Sequence, residues 1–451
     1  MLLKKVTTFT LTLLVILLAS CQPAATPAPE TNTAVPPAAE PAPPGTSTAE
    51  PESPETSTAE PSPEEQAWFK TYGGVRDDVG WDLLVAEDGG CFIAGTTDLQ
   101  FEPEMGGDVY LVRTDPAGEV LWEKTYEGEG YQEGGSITQT SDGELLISGM
   151  TTSSATQGMD IFLLRLDQDG VELESRTFGG PLDEMGAAWP LDDGGFLLGG
   201  IIVDPNDFVA DPGAAGYSGL EGRSNVYIAR VDDGGDELWS RSFGGKKNVL
   251  ASGGVQAPDG GFLVLATIMY FPEDDNDILL LRVDENGEEL WSRTWDEGVT
   301  SAYDLIETSD GNYLISASYA PPGGDDRSVP DSLFIKIDPE GNEIWRTVFG
   351  EPDMIDYGAL LVEAADGSGY YAAGEWGRDL YSHSSDISWV KISPDGDLLW
   401  RQIIPTATHN MFGVLRQDPA GGYIMTGSTV NKAGNFDIFV VKTDPQGNAP
   451  Q

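Results

Sequence analysis

One pattern returns seven times between Trp68 and Lys442, roughly every fifty residues, and a period of that length marks an array of small repeated units. The first copy shows the parts. GWDLLVA at 80–86 reads as a strand, Glu87-Asp88-Gly89-Gly90 turns the chain, and residues 91–96 run back. After a longer connection come DVYLVRT at 108–114, a tight Asp115-Pro116-Ala117-Gly118 turn and VLWEKTY at 120–126. Short apolar runs bounded by Gly, Pro and Asp are strands, and no helical period interrupts them.

The third run recurs as DIFLLRLD from Asp160, VYIARVD from Val226, DILLLRVD from Asp277, SLFIKID from Ser332, DISWVKIS from Asp386 and DIFVVKTD from Asp437. The tryptophan of the fourth run recurs as Trp122, Trp239, Trp291, Trp345 and Trp400, with Glu174 in its place once. Asp-x-x-Gly suits a tight hairpin, because Asp bonds back to the backbone and Gly accepts positive φ. The tryptophan is expected to pack between neighbouring units. Residues 66–72 read as a fourth strand without partners, and 436–443 as a third strand without a fourth. Pairing the two closes a ring and removes an exposed edge. The expected fold is therefore all-β, a seven-bladed β-propeller of four-stranded antiparallel blades with the N-terminal strand completing the last blade. An open solenoid would need polar caps at both ends, and none is visible.

Asp-x-x-Gly-x-x-x-Trp resembles the repeat of quinoprotein (PQQ-type) propellers, with one residue fewer because those repeats carry a Thr before the Gly. That family usually builds eight blades, and the adjacent cysteine pair of many of its enzymes is absent here. The combined pattern, FGG before the first strand and DGG[FY] leading into the second, is similar to bacterial secreted propeller repeats across 66–443. That resemblance implies a fold and no activity.

The N-terminal region has a different character. Lys4 and Lys5 precede an apolar stretch from Val6 to Leu18 that is short for a membrane span. Leu18-Ala19-Ser20-Cys21 resembles the lipobox of bacterial lipoproteins, which implies a signal peptide over 1–20, cleavage before Cys21 and acylation of that residue. Residues 22–65 are Pro, Ala, Thr, Ser and Glu with nothing to bury, so 21–65 reads as a lipidated, disordered stalk. Fully extended at roughly 3.1 Å per residue it would reach on the order of 130 Å. The folded unit is 66–451. Its single thiol, Cys91, sits in an apolar strand and is expected to be buried.

Net charge is −51, and residues 66–451 carry 67 acids against 22 bases. Such a surface repels nucleic acid and anionic lipid and favours cations or basic ligands. The expected partners are an extracellular polysaccharide or a protein, with the membrane engaged only through the lipid. The chain is expected to be monomeric and exposed outside the cytoplasm, in the cell envelope.

Tight turns fall on one end of the ring and longer connections on the other, which is the better recognition surface. Those connections carry Phe101, Phe208, Tyr217, Tyr270, Phe271, Tyr319, Trp376 and Tyr381. Aromatics beside carboxylates suit sugar rings or a basic protein, or else pack their own loops. Residues 203–225 form the longest of these connections, a lid, a recognition loop or neutral drift. Asp78, Glu184 and Asp356 share a slot two residues before a glycine. They either hold Ca²⁺ near the channel or cap loop backbone. His383 and His409 are the only histidines, which leaves little room for a catalytic triad and makes a transition-metal pair the alternative to solvated loop residues. With so many acids, a glycosidase-like carboxylate pair carries no weight by itself. The sequence thus favours a surface binding or scaffolding module, with an envelope enzyme acting on polysaccharide as the alternative and a redox quinoprotein less favoured.

Overall fold

The computed structural model describes residues 67–450 apart from 101–105, 129, 141, 153–158, 181–182, 192–194, 204–223, 233–235, 245–247, 270–275, 297, 321–329, 352–353, 378–384 and 407–409. The described residues form twenty-eight strands in seven four-stranded sheets, and the chain is a seven-bladed β-propeller. Blade one consists of Val79–Val85, Cys91–Gln100, Gly106–Thr114 and Val120–Tyr126. Blade six consists of Ile355–Glu363, Tyr370–Gly377, Ser385–Ile392 and Leu398–Ile404. Blade seven takes three strands from Asn410–Lys442 and its outer strand from Trp68–Tyr72, which pairs antiparallel with Phe436–Lys442 from Trp68 opposite Lys442 to Tyr72 opposite Ile438. The closure read from the sequence is the closure of the ring.

Burial changes from the axis outward. Second and third strands are buried on both faces, as in Leu145–Thr151 and Phe262–Met269. Fourth strands alternate exposed and half-buried positions, as the outermost strand of a blade must. Where third meets fourth strand, the register shifts at the same point in six blades, beside Arg113, Arg165, Arg230, Arg282, Lys336 and Lys391. The extra residue is on the fourth strand, and the basic side chain at this point of the third strand reaches the hairpin that enters the second. Arg113 pairs with Asp88 at 2.6 Å, Arg165 with Glu144 at 2.5 Å and Lys336 with Asp310 at 2.6 Å, while Lys442 of blade seven pairs with Asp418 at 2.5 Å. Much of the scarce positive charge is thereby committed to structure.

The recurring tryptophan sits on the Asp-x-x-Gly turn of the next blade. Gly118 has φ of 74°, and a Cβ there would lie 2.9 Å from the Trp68 ring. Gly287 stands in the same relation to Trp239, Gly341 to Trp291 and Gly396 to Trp345. Only glycine satisfies both the backbone and the ring above it. The turn itself is an Asp cap: Asp115 Oδ1 accepts N–H bonds from Ala117 at 2.9 Å and Glu119 at 2.8 Å. Tyr72 Oη donates to the Gly118 carbonyl at 2.8 Å, so ring, hydroxyl and turn lock blade to blade.

One expected connection is shorter than the sequence suggested. The second strand of blade one runs on to Gln100, because Thr97 pairs with Asp108 and Gln100 with Gly106. In blade six the second strand likewise includes Trp376, opposite Asp386, so Trp376 is a strand residue and not a loop residue.

Candidate ligand-binding site

The shared acid slot is where first strands begin, at the end of the ring with the longer connections. Asp78, Glu184 and Asp356 are all buried there, at 3%, 7% and 1% exposure. A fourth member is Glu133 of blade two, 2% exposed and two residues before Gly135. Each serves its own loop. Asp78 accepts the Gly74 N–H at 2.7 Å and the Thr97 hydroxyl at 2.5 Å. Glu184 accepts the Gly180 N–H at 3.2 Å, and Asp356 that of Glu351 at 3.2 Å. Glu133 accepts the Tyr131 hydroxyl. This cap gives the glycine pair a role: in Tyr72-Gly73-Gly74 of blade one and Phe178-Gly179-Gly180 of blade three the second glycine supplies the N–H. Among the described residues, no three His, Cys, Asp or Glu side chains converge as metal ligands. The proposed Ca²⁺ ligands are thus found on separate loops.

Burial is the largest influence on the titration of Asp78, Glu133 and Asp356, and it raises all three. It lifts Glu133 to about 8, against the opposing pull of the Tyr131 bond. It lifts Asp356 to about 6, with Arg401 opposing and Asp331 and Glu351 adding to the rise. Cys91 is buried, and burial takes its thiol up to about 12.

Blade six departs from the pattern of blade one. The residue opposite the Asp or Asn that opens the third-strand signature (Asp108, Asp160, Asn225, Asp277, Asp331, Asp386 and Asp437) is Thr97, Thr151, Ile202, Ile268, Tyr319, Trp376 and Thr429 in blades one to seven. Trp376 also lies opposite Asp356 of the first strand. Directly opposed residues share a face of the sheet, so Trp376, Asp356 and Asp386 do so. Where Thr97 gives Asp78 a hydroxyl, Trp376 gives Asp356 none. Asp356 Oδ1 accepts no hydrogen bond, and the buried Trp376 indole N–H has no acceptor among the described residues.

Arg401 reaches this acid across the blade from the fourth strand. Its Nη2 lies 2.9 Å from Asp356 Oδ1, and its Nη1 lies 3.5 Å from both Asp356 Oδ2 and Glu351 Oε1. Its Nε is buried without a partner. Small residues make the crossing possible: Ala372, Gly374 and Ser388, with Ser332, Phe334 and Phe349 of blade five, border the same seam cavity of about 10 Å³. A seam cavity of about 30 Å³ between blades three and four is lined by Trp189, Ala251 and Phe262 among others, with no charged side chain.

Sequence reasoning placed Asp356 and Trp376 in separate hypotheses, and the structure puts them side by side. It missed Arg401, whose signal is an arginine directly after Trp400, and Glu133, whose signal is its distance from Gly135. Tyr319, the blade-five counterpart of Trp376, is half-buried against that blade's core. Asp386 caps the next loop, accepting the Thr406 N–H at 2.8 Å. Cys21, Phe101, Phe208, Tyr217, Tyr270, Phe271, Tyr381, His383 and His409 lie outside the described residues.

No protein-family model and no curated protein sequence matches the chain. Its structure is similar to that of an ulvan lyase of polysaccharide lyase family 25, with a TM-score of 0.50, 10% identity, and coverage of 84% of this chain and 97% of that one. It is also similar to Sqt1 from Chaetomium thermophilum, with a TM-score of 0.47, 11% identity, and coverage of 86% and 87%. Plexin A of Drosophila, solved with Semaphorin 1b, matches with a TM-score of 0.44, 9% identity, and coverage of 83% and 88%. These structural neighbours are β-propeller proteins. At such identities the likeness is one of fold.

Proposed function

We infer that this chain is a lipid-anchored surface protein whose propeller binds or scaffolds an extracellular polymer or protein partner. The observation that carries the reading is the concentration of unsatisfied polar groups and a half-buried tryptophan on blade six, at the end with the long connections. The rest of the ring supports it. Buried strands, paired cations and tryptophan latches make a rigid frame, and rigid frames present binding groups at fixed spacing. The lipobox-like run ending at Cys21 and the Pro-rich stalk favour display away from a membrane. Calorimetric titration of the full chain with Ca²⁺ and a panel of soluble polysaccharides tests the polymer reading. Saturable heat from a polysaccharide supports it. No heat from any sugar removes it and leaves a protein partner. Labelling with an alkyne fatty acid, lost in Cys21→Ser, tests the anchor.

A second reading, an enzyme acting on polysaccharide, is favoured by one observation. Asp356, held up to about 6 beside Asp331 and Glu351, is a carboxyl suited to proton transfer near neutral pH. The lyase among the neighbours shares the fold and contributes nothing more. Release of oligosaccharides from a bound polymer, abolished in Asp356→Asn, would establish this reading. Binding without any product over long incubation would end it.

A further inference from the structure

Exposed apolar side chains scattered singly need no explanation, but the same position repeated around a ring does. Among the described residues, every exposed large aliphatic side chain except Val75 lies on a fourth strand or on the residue leading into one. Six of them hold one position: Leu121, Leu173, Leu238, Leu290, Ile344 and Leu399, from 50% to 57% exposed. That position is the bulge. Trp122 pairs with Arg113 and Val120 with Thr114, so Leu121 is the extra residue, and the other five blades repeat the arrangement. A bulge residue has no partner on the neighbouring strand, and one that stands half in water gives the fold little reason to be aliphatic. In blade seven the residue ahead of the tryptophan is Ala67, so the belt covers six blades.

The ground around the belt is acidic, and its bases are taken. In these six blades each twelve-residue run of turn and fourth strand, such as 115–126 or 284–295, carries two to four acids and a single base. Lys124 is bonded to the Asp169 carbonyl, Arg241 to Glu288 and Arg293 to the Glu340 carbonyl, each across to the next blade. Arg176, Arg346 and Arg401 are paired with Glu174, Glu343 and Asp356. An exposed carboxylate precedes each aliphatic side chain by one or two residues, as Glu237 does Leu238 and Glu289 does Leu290.

This surface excludes most occupants. An anionic lipid or a uronate meets like charge there, and so does a second copy of the rim. The tryptophans that could stack on a neutral sugar are packed on the turns of the next blade. A strand added to the outer edge is obstructed by the bulge. What fits is a protein surface on which Lys or Arg flank apolar side chains, the apolar groups covering the leucine and the cations meeting the carboxylates. We propose that the outer rim docks a basic, apolar protein segment of this kind at each of six blades. The proposal goes beyond the reading above, because it concerns the tight-turn side of the ring and holds whether or not a polysaccharide binds at the end with the long connections.

The test is calorimetric titration of the full chain with a short peptide alternating Lys and Leu, and with its Lys–Ser counterpart, at about 0.15 M salt to screen bare charge attraction. The Lys–Leu peptide should saturate at about six per chain. Changing all six belt residues to Ser should weaken it about fivefold, the worth of covering the exposed half of a leucine. Leu238→Ser alone, a single surface change that leaves the core intact, should remove about one site and leave the rest as they were. Equal binding of the Lys–Ser peptide, or unchanged binding of the Lys–Leu peptide by the six-site variant, overturns the proposal, since charge alone would then account for the contact. No saturable heat from the Lys–Leu peptide overturns it as well. Sedimentation of the native chain with phosphatidylcholine vesicles, lost in the six-site variant, overturns it in favour of a lipid surface. Self-association lost in that variant overturns it in favour of a second copy.

Discussion

Blades one and six bury the same carboxylate in the same slot, and only blade one completes its hydrogen bonds. Asp78 has a backbone N–H on one oxygen and the Thr97 hydroxyl on the other. Asp356 has the Glu351 N–H on Oδ2 and, with a tryptophan where the threonine would be, an arginine brought across the sheet beside both oxygens in place of a hydroxyl. The lesson is that a repeat can hold its fold with one version of a polar cap while another version in the same slot is left incomplete. Closed caps stabilise the ring. An open cap in the same scaffold is held in place by six blades that do not need it.

The comparison breaks most visibly at Asp78. Asp78→Ala removes the acceptor of two part-buried hydrogen bonds, from the Gly74 N–H and the Thr97 hydroxyl, and should cost about 1–3 kcal/mol in urea unfolding. A loss below about 0.5 kcal/mol would mean that the closed cap is not what distinguishes blade one.

Glu133 is a third version of the slot, closed by a tyrosine and deprived of water. Its folded pKa of about 8 lies above the ordinary carboxyl value, so folding favours the protonated form. Its stabilising contribution is full below about pH 4.5 and is lost as pH rises through 8. Glu133→Gln, neutral at every pH, should remove that slope and leave the variant more stable than the native chain at pH 9 by roughly 2 kcal/mol. Thermal melts from pH 4 to 9 give the answer. Parallel curves for the two proteins would mean that Glu133 reaches water.

The ring was legible from the sequence because its signals are local and repeated. Asp115 and Gly118 specify a turn, Trp122 marks the strand after it, and seven copies leave little freedom in how sheets close. The unpaired Trp68–Tyr72 strand announced its partner. The slot acids were legible as a set, and their capping of FGG was one of the two roles foreseen. The seam was not legible, since it depends on register. That Trp376 lies opposite Asp356, and that Arg401 crosses Gly374 and Ser388 to meet them, follows from strand pairing across twenty to fifty residues. The pairing of Arg113 or Lys336 with an Asp hairpin was hidden for the same reason: a basic residue in a strand names no partner until the strands are aligned.

The smallest change sharpens the comparison most. Thr97→Val keeps shape and β-propensity and removes the hydroxyl, giving Asp78 in blade one the missing partner that Asp356 has in blade six. Hydrogen bonding to the charged form holds a carboxyl down, so its loss should raise the Asp78 pKa further above the ordinary value than burial already does. The native chain should then be more stable than the variant by about 1 kcal/mol at pH 7, where the carboxylate is ionised, and by less at pH 3. Carbon-detected titration of the Asp78 carboxyl reads the first quantity and urea unfolding the second. If the carboxyl titrates as before, Thr97 is not what closes the cap, and the contrast with Trp376 loses its chemical basis. What blade six has in place of that hydroxyl is the Arg401 ion pair to Asp356, with the Trp376 indole on the same face of the sheet.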